Sequence, residues 1–226
     1  KLIFLKMRSK SKKKAIILGG SRGIGKEISL SLKKIKVQTF SCSRKDVDTS
    51  NLESVKRFLK NHKKTDILVL NSGGPPPLKL KDISEEDWKK YFNQLFLGYF
   101  LIIQNIKINK NGYIFYISSS IIKEPGDSLI ISSTLRSAMS SLLKSYSLMN
   151  SKNGISTINI APGPFKTARV KELVKNLKKF EKNLPTKKIG DPKEIGKFVE
   201  FVVKNNIKYI SGSTVYFDGN LNKSFL

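Results

Sequence analysis

Two hydrophobic rhythms alternate along the whole chain. Short apolar runs at Ala15 to Leu18, Val37 to Ser41, Asp66 to Asn71, Tyr113 to Ile117, Ile155 to Ile160 and Thr214 to Phe217 have the length and residue types of strands. Between them, apolar residues recur at helical spacing. Ile28, Leu30 and Leu32 punctuate Gly25 to Lys34; Leu52, Val55, Phe58 and Leu59 punctuate Asn51 to Asn61. Long helices are predicted over about Glu85–Ile106 and Ser132–Asn150, and a lysine-rich one over about Arg169–Glu181. Ser84 and Asp87 have the spacing of a capping box, and Asp191-Pro192 opens the last helix. Strand and helix in alternation predict an α/β fold, a mostly parallel sheet covered by helices on both faces. No linker or repeat divides residues 1–226, so one domain is expected.

Composition narrows the class. Hydrophobic residues make up 39% of the 226, and no apolar run approaches the ~20 residues of a membrane span. The stretch Lys1 to Lys6 is too short for a signal peptide, and Met7 is an alternative start. A cytoplasmic protein without membrane attachment is the expectation. The single Cys42 excludes an internal disulfide and any multi-cysteine metal site, and no metal is expected. His62, in a polar stretch between two elements, reads as a solvated loop residue. The net charge of +26 invites a nucleic-acid reading. The excess is mostly lysine spread from end to end, with no nucleic-acid motif, so that reading is set aside. The charge would instead gather anionic ligands.

Candidate chemistry starts at Leu18-Gly-Gly-Ser-Arg-Gly-Ile-Gly25, between the first strand and the first helix. A phosphate cradle belongs there: glycines let the backbone turn and approach a pyrophosphate, and free amides at the helix start receive its charge. Two alternatives stand beside this one. Gly20, Gly25 and Lys26 fit a P-loop, but Glu27 follows where the magnesium-ligating Ser or Thr belongs. The turn could also be tight without holding any ligand.

These motifs together resemble the short-chain dehydrogenases/reductases, and within them the 3-oxoacyl-carrier-protein reductases. Gly19, Gly23 and Gly25 match that family's glycine motif, with Ser21, Arg22 and Ile24 inside it. Asn71-Ser72-Gly73, Pro162-Gly163 with Thr167, and Asp218-Gly219 match its later motifs in order. The resemblance implies a Rossmann-type doubly wound sheet in three layers and a nicotinamide cofactor. Ser43 and Arg44 end the second strand, and Arg22 sits in the turn; both arginines favour NADP, with NAD the second candidate. Asp46-Val47 resembles the family's pair beside the adenine. The family's helix and strand between the equivalents of Arg44 and Asp46 do not fit into one intervening residue, so the third strand is expected to be short or missing.

The family's catalysis requires a tyrosine, a lysine four residues on that lowers its pKa, a serine and an asparagine. No tyrosine of this sequence has lysine four residues later. Ser118 or Ser119 stands at the strand end where the family's serine belongs. Counting the family's interval from Ser118 reaches Ile131 and Leu135, and the asparagine position falls at Leu95. Arg136, one step beyond, is expected to point about 100° away around the helix, where a helix-surface or subunit-interface role is favoured and binding of an anionic substrate or a ribose is the alternative. Ser132 and Ser133 are weak acids, and Tyr99 and Tyr116 have no evident cationic neighbour in the sequence. Two functions stay open: an NADP-dependent oxidoreductase on a small-molecule or acyl-thioester substrate with a degenerate site, and a cofactor-binding sensor or silent subunit. The resemblance also implies a homodimer or homotetramer, with Leu95, Phe96, Tyr99, Phe100, Leu142 and Tyr146 as candidate contacts. Thr167 to Pro185 is expected to be a specificity lid.

Overall fold

The computed structural model describes residues 12–224; Lys1 to Lys6 and Met7 lie outside them. Six strands form one sheet, paired parallel throughout: β1 (Lys14–Ile17), β2 (Gln38–Ser41), β3 (Lys64–Leu70), β4 (Lys107–Ile117), β5 (Ser156–Pro162) and β6 (Ser213–Phe217). Their order is β2-β1-β3-β4-β5-β6. The chain leaves β1 toward one edge and returns to β3 on the other side. The crevice at the carboxyl ends of β1 and β3 is therefore where a dinucleotide fits.

The strands read as continuous apolar runs because both faces are buried. Ala15, Ile17, Ile67 and Val69 point to one face, where α1 (Gly23–Lys34) and α8 (Pro192–Lys204) supply Ile28, Leu32, Ile195 and Val199. Ile16, Leu18, Leu68 and Leu70 point to the other, where α2 (Leu52–Asn61), α4 (Gly98–Asn105) and α5 (Ile130–Asn150) supply Val55, Ile102, Met139 and Leu143. This is the three-layer architecture the sequence implies. The expected gap is present too: β2 is the sheet edge, and no strand or helix intervenes between it and α2.

Four expectations change. The helix expected over Glu85–Ile106 runs unbroken from Glu85 to Asn105, but a π-helical turn (Asn93–Leu97) stands inside it between α3 (Glu85–Phe92) and α4. Such an insertion rotates the residues around it and recurs at functional sites. The lysine-rich helix divides into α6 (Ala168–Leu173) and α7 (Leu177–Asn183). β4 starts six residues early; its polar Asn109-Lys-Asn-Gly112 bulges outward where the register jumps from Ile108 to Tyr113. His62 is no solvated loop residue. Its ring stacks on Phe58 and Phe40, and Nδ1 lies 3.0 Å from the Phe58 carbonyl oxygen, so it covers apolar surface beside the sheet edge.

Cys42, just past β2, is fully buried, and burial pushes its thiol up to about 12, with the Asp46 charge adding to the effect. The thiolate is the reactive form. A disulfide reagent at pH 8 should therefore modify Cys42 only as fast as the fold opens; immediate stoichiometric reaction of native protein, followed by absorbance, would contradict this burial.

Candidate cofactor and active site

β1 delivers the chain into a turn that only glycine tolerates at its tightest point. Gly19 has φ +58°, and its carbonyl accepts a hydrogen bond from Asn71 Nδ2 at 3.1 Å. A methyl group on Gly25 would overlap that same carbonyl and come within 2.8 Å of Asn71 Nδ2. Asn71 thus ties the loop after β3 to the turn after β1.

α1 then starts without help. Its N-cap, Arg22, makes no side-chain cap, and its first turn holds no acid. Helices α2, α3 and α8 are capped by Asn51, Ser84 and Asp191. An uncapped, acid-free helix start on a glycine turn leaves amide donors and the positive end of the dipole for an external anion. These residues fit a dinucleotide pyrophosphate.

The rim is polar and cationic. Ser21, Arg22 and Arg44 are exposed, and Arg44 Nε lies 3.4 Å from Asp48 Oδ2. The Asp46 carboxylate accepts from the Ser43 amide and hydroxyl, both at 2.7 Å, and these bonds hold it below the usual carboxylate range. Val47 packs in the core. Ile24 also leans on core side chains. Across the crevice, Thr167 lies against Gly23, and Gly163 is held by the Phe217 carbonyl and the Asp218 backbone after β6.

The two strand-end serines differ. Ser118 is buried, and its hydroxyl donates to the Ile160 carbonyl at 3.2 Å. Ser119 is half-buried, and its hydroxyl makes no hydrogen bond to the protein, which leaves it available to a ligand. Thirteen residues beyond it, the interval counted above from Ser118, stands Ser132; four further stands Arg136.

Ile131 and Leu135 pack with Tyr91 of α3 and Leu95 of the π-helical turn. Ser132 and Arg136 occupy the adjoining row of α5, and the burial of Arg136 corrects the expectation of a helix-surface or subunit-interface role. Arg136 is 5% exposed. Its Nε donates to Ser132 Oγ at 3.1 Å, Nη1 to the Ile117 carbonyl at 2.9 Å, and Nη2 to the Ser72 carbonyl at 3.4 Å. It therefore bridges α5, the end of β4 and the loop after β3.

Arg136 is also the cationic neighbour of the two buried tyrosines. Burial pushes Tyr116 up to about 12, with the Arg136 guanidinium pulling the other way. Tyr99 is raised further by burial, opposed by Ser72 and Arg136. Both hydroxyls lack a protein hydrogen-bond partner. Both phenols stay neutral well above physiological pH.

Two residues were not legible as site residues. Gln94, in the π-helical turn, donates from Nε2 to the Gly73 carbonyl at 2.7 Å. Arg169, on α6, donates to the Pro75 carbonyl, so the expected lid is tied to the Gly73–Pro77 loop. No group of acidic, histidine or cysteine side chains among the described residues could hold a metal ion.

Residues 21–222 match the family model described as Enoyl-(Acyl carrier protein) reductase. The chain belongs to the short-chain dehydrogenase/reductase family. Its sequence is 28% identical over 239 residues to the 3-oxoacyl-[acyl-carrier-protein] reductase FabG of Buchnera aphidicola subsp. Baizongia pistaciae, covering 93% of this chain and 98% of that one. It is 25% identical over 260 residues to the NADPH-dependent reductase BacG of Bacillus subtilis, covering 95% and 99%. Among solved structures, YwfH, an NADPH-dependent reductase involved in bacilysin biosynthesis, matches with a TM-score of 0.83 at 22% identity, covering 95% of this chain and all of that one. A blue fluorescent protein from a metagenomic library, in complex with NADPH, matches with a TM-score of 0.82 at 18% identity, covering 93% and 98%. These matches make the chain an NAD(P)-dependent oxidoreductase by family. No helix among the described residues is long and apolar enough to cross a membrane.

Proposed function

We propose that the protein is an NADP(H)-dependent reductase whose active site has Ser119, Ser132 and Arg136 where relatives use a serine, a tyrosine and a lysine. The observation that carries this is the Ser132–Arg136 pair: i, i+4 on α5, buried, hydrogen-bonded, and joined to the ends of β3 and β4. The NADPH-dependent relative supports the choice of cofactor.

The Gly19–Gly25 turn and the α1 start hold the pyrophosphate. Arg22, Ser43 and Arg44 lie where a ribose 2′-phosphate needs cations. Asn71, Ser72, Gly73, Pro162, Gly163 and Thr167 bound the nicotinamide half. When bound, the cofactor supplies the hydride. Arg136 Nε donates to Ser132 Oγ, which leaves the Ser132 hydroxyl proton free and strengthens it as a donor. Ser119 and Ser132 then both donate to an oxygen that gains negative charge. A guanidinium keeps its proton at any physiological pH, so the proton that completes the product comes from water.

Single-turnover mixing with NADPH and a panel of ketones, enones and acyl thioesters tests the reading at 340 nm. Oxidation of NADPH by any of them at a rate that Ser132→Ala lowers supports it. Tight NADPH binding with no oxidation across the panel favours the second reading, a cofactor-binding sensor or silent subunit. The fully buried Tyr99 and Tyr116 phenols, which burial makes weaker acids than a free tyrosine, favour that reading.

A homodimer or homotetramer through α3, α4 and α5 is also proposed. Leu95 and Tyr99 cannot contribute, because both are fully buried within the protomer. Phe92 and Phe96 stack at 5.5 Å on this surface, with Phe92 38% exposed. Sedimentation should show a species at least twice the 25.5 kDa chain mass that Phe92→Glu dissociates; a monomer at working concentration would contradict the interface.

A further inference from the structure

We infer that Arg136 and Arg169 together form a carboxylate site over Gly74, which makes the substrate a small organic acid. The inference rests on the reductase reading for its place beside the cofactor, but its evidence is separate. Arg136 is a buried cation, and none of the ion pairs among the described residues involves it. Buried charges in proteins are as a rule paired. Its three hydrogen bonds go to one hydroxyl and two carbonyls, which leaves two of its five N–H donors free.

The second arginine comes from another element and meets it at one point. A methyl group on Gly74 would lie 3.6 Å from Arg136 Nη2, 3.6 Å from Ser132 Oγ and 3.8 Å from Arg169 Nη2. Three donors, two of them cationic, thus converge above a residue with no side chain. At the neighbouring Gly73, a methyl group would meet nothing within 4 Å, so the space stays open on that side. Arg169 is anchored by the Pro75 carbonyl and lies 3.4 Å from Glu172, an exposed partner that screening weakens.

Two guanidinium groups over bare backbone suit the planar, two-oxygen geometry of a carboxylate, and the Ser132 hydroxyl beside them is left for the reacting oxygen. A nicotinamide ribose, the other ligand considered for Arg136, needs no second arginine from α6. With the carboxylate over Gly74, the reducible carbon sits close to the acid group, and the oxygen it bears reaches Ser119 and Ser132. An acid of this kind is smaller than an acyl thioester and carries its charge at the reacting end.

Crotonate with crotonamide, and benzoate with benzamide, are matched acid and amide probes of nearly equal shape. Each is titrated calorimetrically into the protein with and without NADPH. Each acid should bind at least tenfold tighter than its amide. Arg169→Gln and Arg136→Lys should each weaken the acids at least fivefold while NADPH affinity stays within twofold. Arg169 is partly exposed, so its variant reports even if the Arg136 variant does not fold. Equal binding of acid and amide, or no binding of either acid, overturns the site. So does an Arg136→Lys variant that loses NADPH affinity but keeps the acids, which would make Arg136 a ribose ligand. If the wild type binds the acids but not NADPH, the carboxylate site stands and the nucleotide reading falls.

Discussion

Gly25→Ala should abolish NADPH binding and destabilise the fold by about 3 kcal/mol, within the range of changes that overpack a fixed site. The added methyl has nowhere to go. It overlaps the Gly19 carbonyl and presses on Asn71 Nδ2, and both belong to the bond that locks the two loops together. Neither neighbour is a flexible side-chain end: one is backbone at φ +58°, and the other is an amide held by that backbone. Relief requires the turn to open, and an opened turn withdraws the amides of α1 from the phosphate. Chemical denaturation and NADPH fluorescence measure the two losses separately. A variant with wild-type stability and affinity would show that the turn is looser than its geometry.

Arg44→Glu should lower NADPH affinity about 100-fold and leave NADH affinity within a few-fold. Charge-assisted hydrogen bonds contribute about 1.5–3 kcal/mol, and reversing the charge adds repulsion to their loss. Folding should not change. Arg44 is 70% exposed, and its pair with Asp48 at 3.4 Å is of the surface kind that contributes little. The contrast between the two nucleotides is the readout, because a general disturbance of the crevice would weaken both. Equal losses, or none, would remove Arg44 from the 2′-phosphate.

Much of this was legible before the structure. The alternation of strand and helix and the position of the glycine turn follow from local patterns, which dominate in a parallel sheet buried on both faces, and the loss of the third strand follows from the family resemblance. The π-helical turn was not legible, because the phase shift of one extra residue is lost among the nearly continuous apolar residues from Leu95 to Ile103. Gln94 was missed with it. The site row on α5 was missed for a different reason. Ser118, Ser119 and Ser120 are alike in sequence, and the choice among them shifts every later position by one. The pattern of the helix itself favours the proposed choice. Ile131, Leu135, Met139 and Leu143 form one apolar i, i+4 row that must face protein, which leaves Ser132, Arg136 and Ser140 as the next row. Arg169 could not be placed from sequence at all, since its contact with Pro75 spans 94 residues.

The missing third strand has a consequence for the strength of binding. With β2 at the edge, no strand among the described residues lies further out in the sheet to wall the adenine end of the crevice. Fewer apolar contacts are available there, and a larger share of the attraction falls to exposed cations such as Arg22 and Arg44. Exposed charges are screened over about 8 Å at physiological ionic strength and over about 3 Å at 1 M. Affinity for the dinucleotide should therefore decline steeply as salt rises, so that the ionic composition of its surroundings sets how fully this protein is loaded.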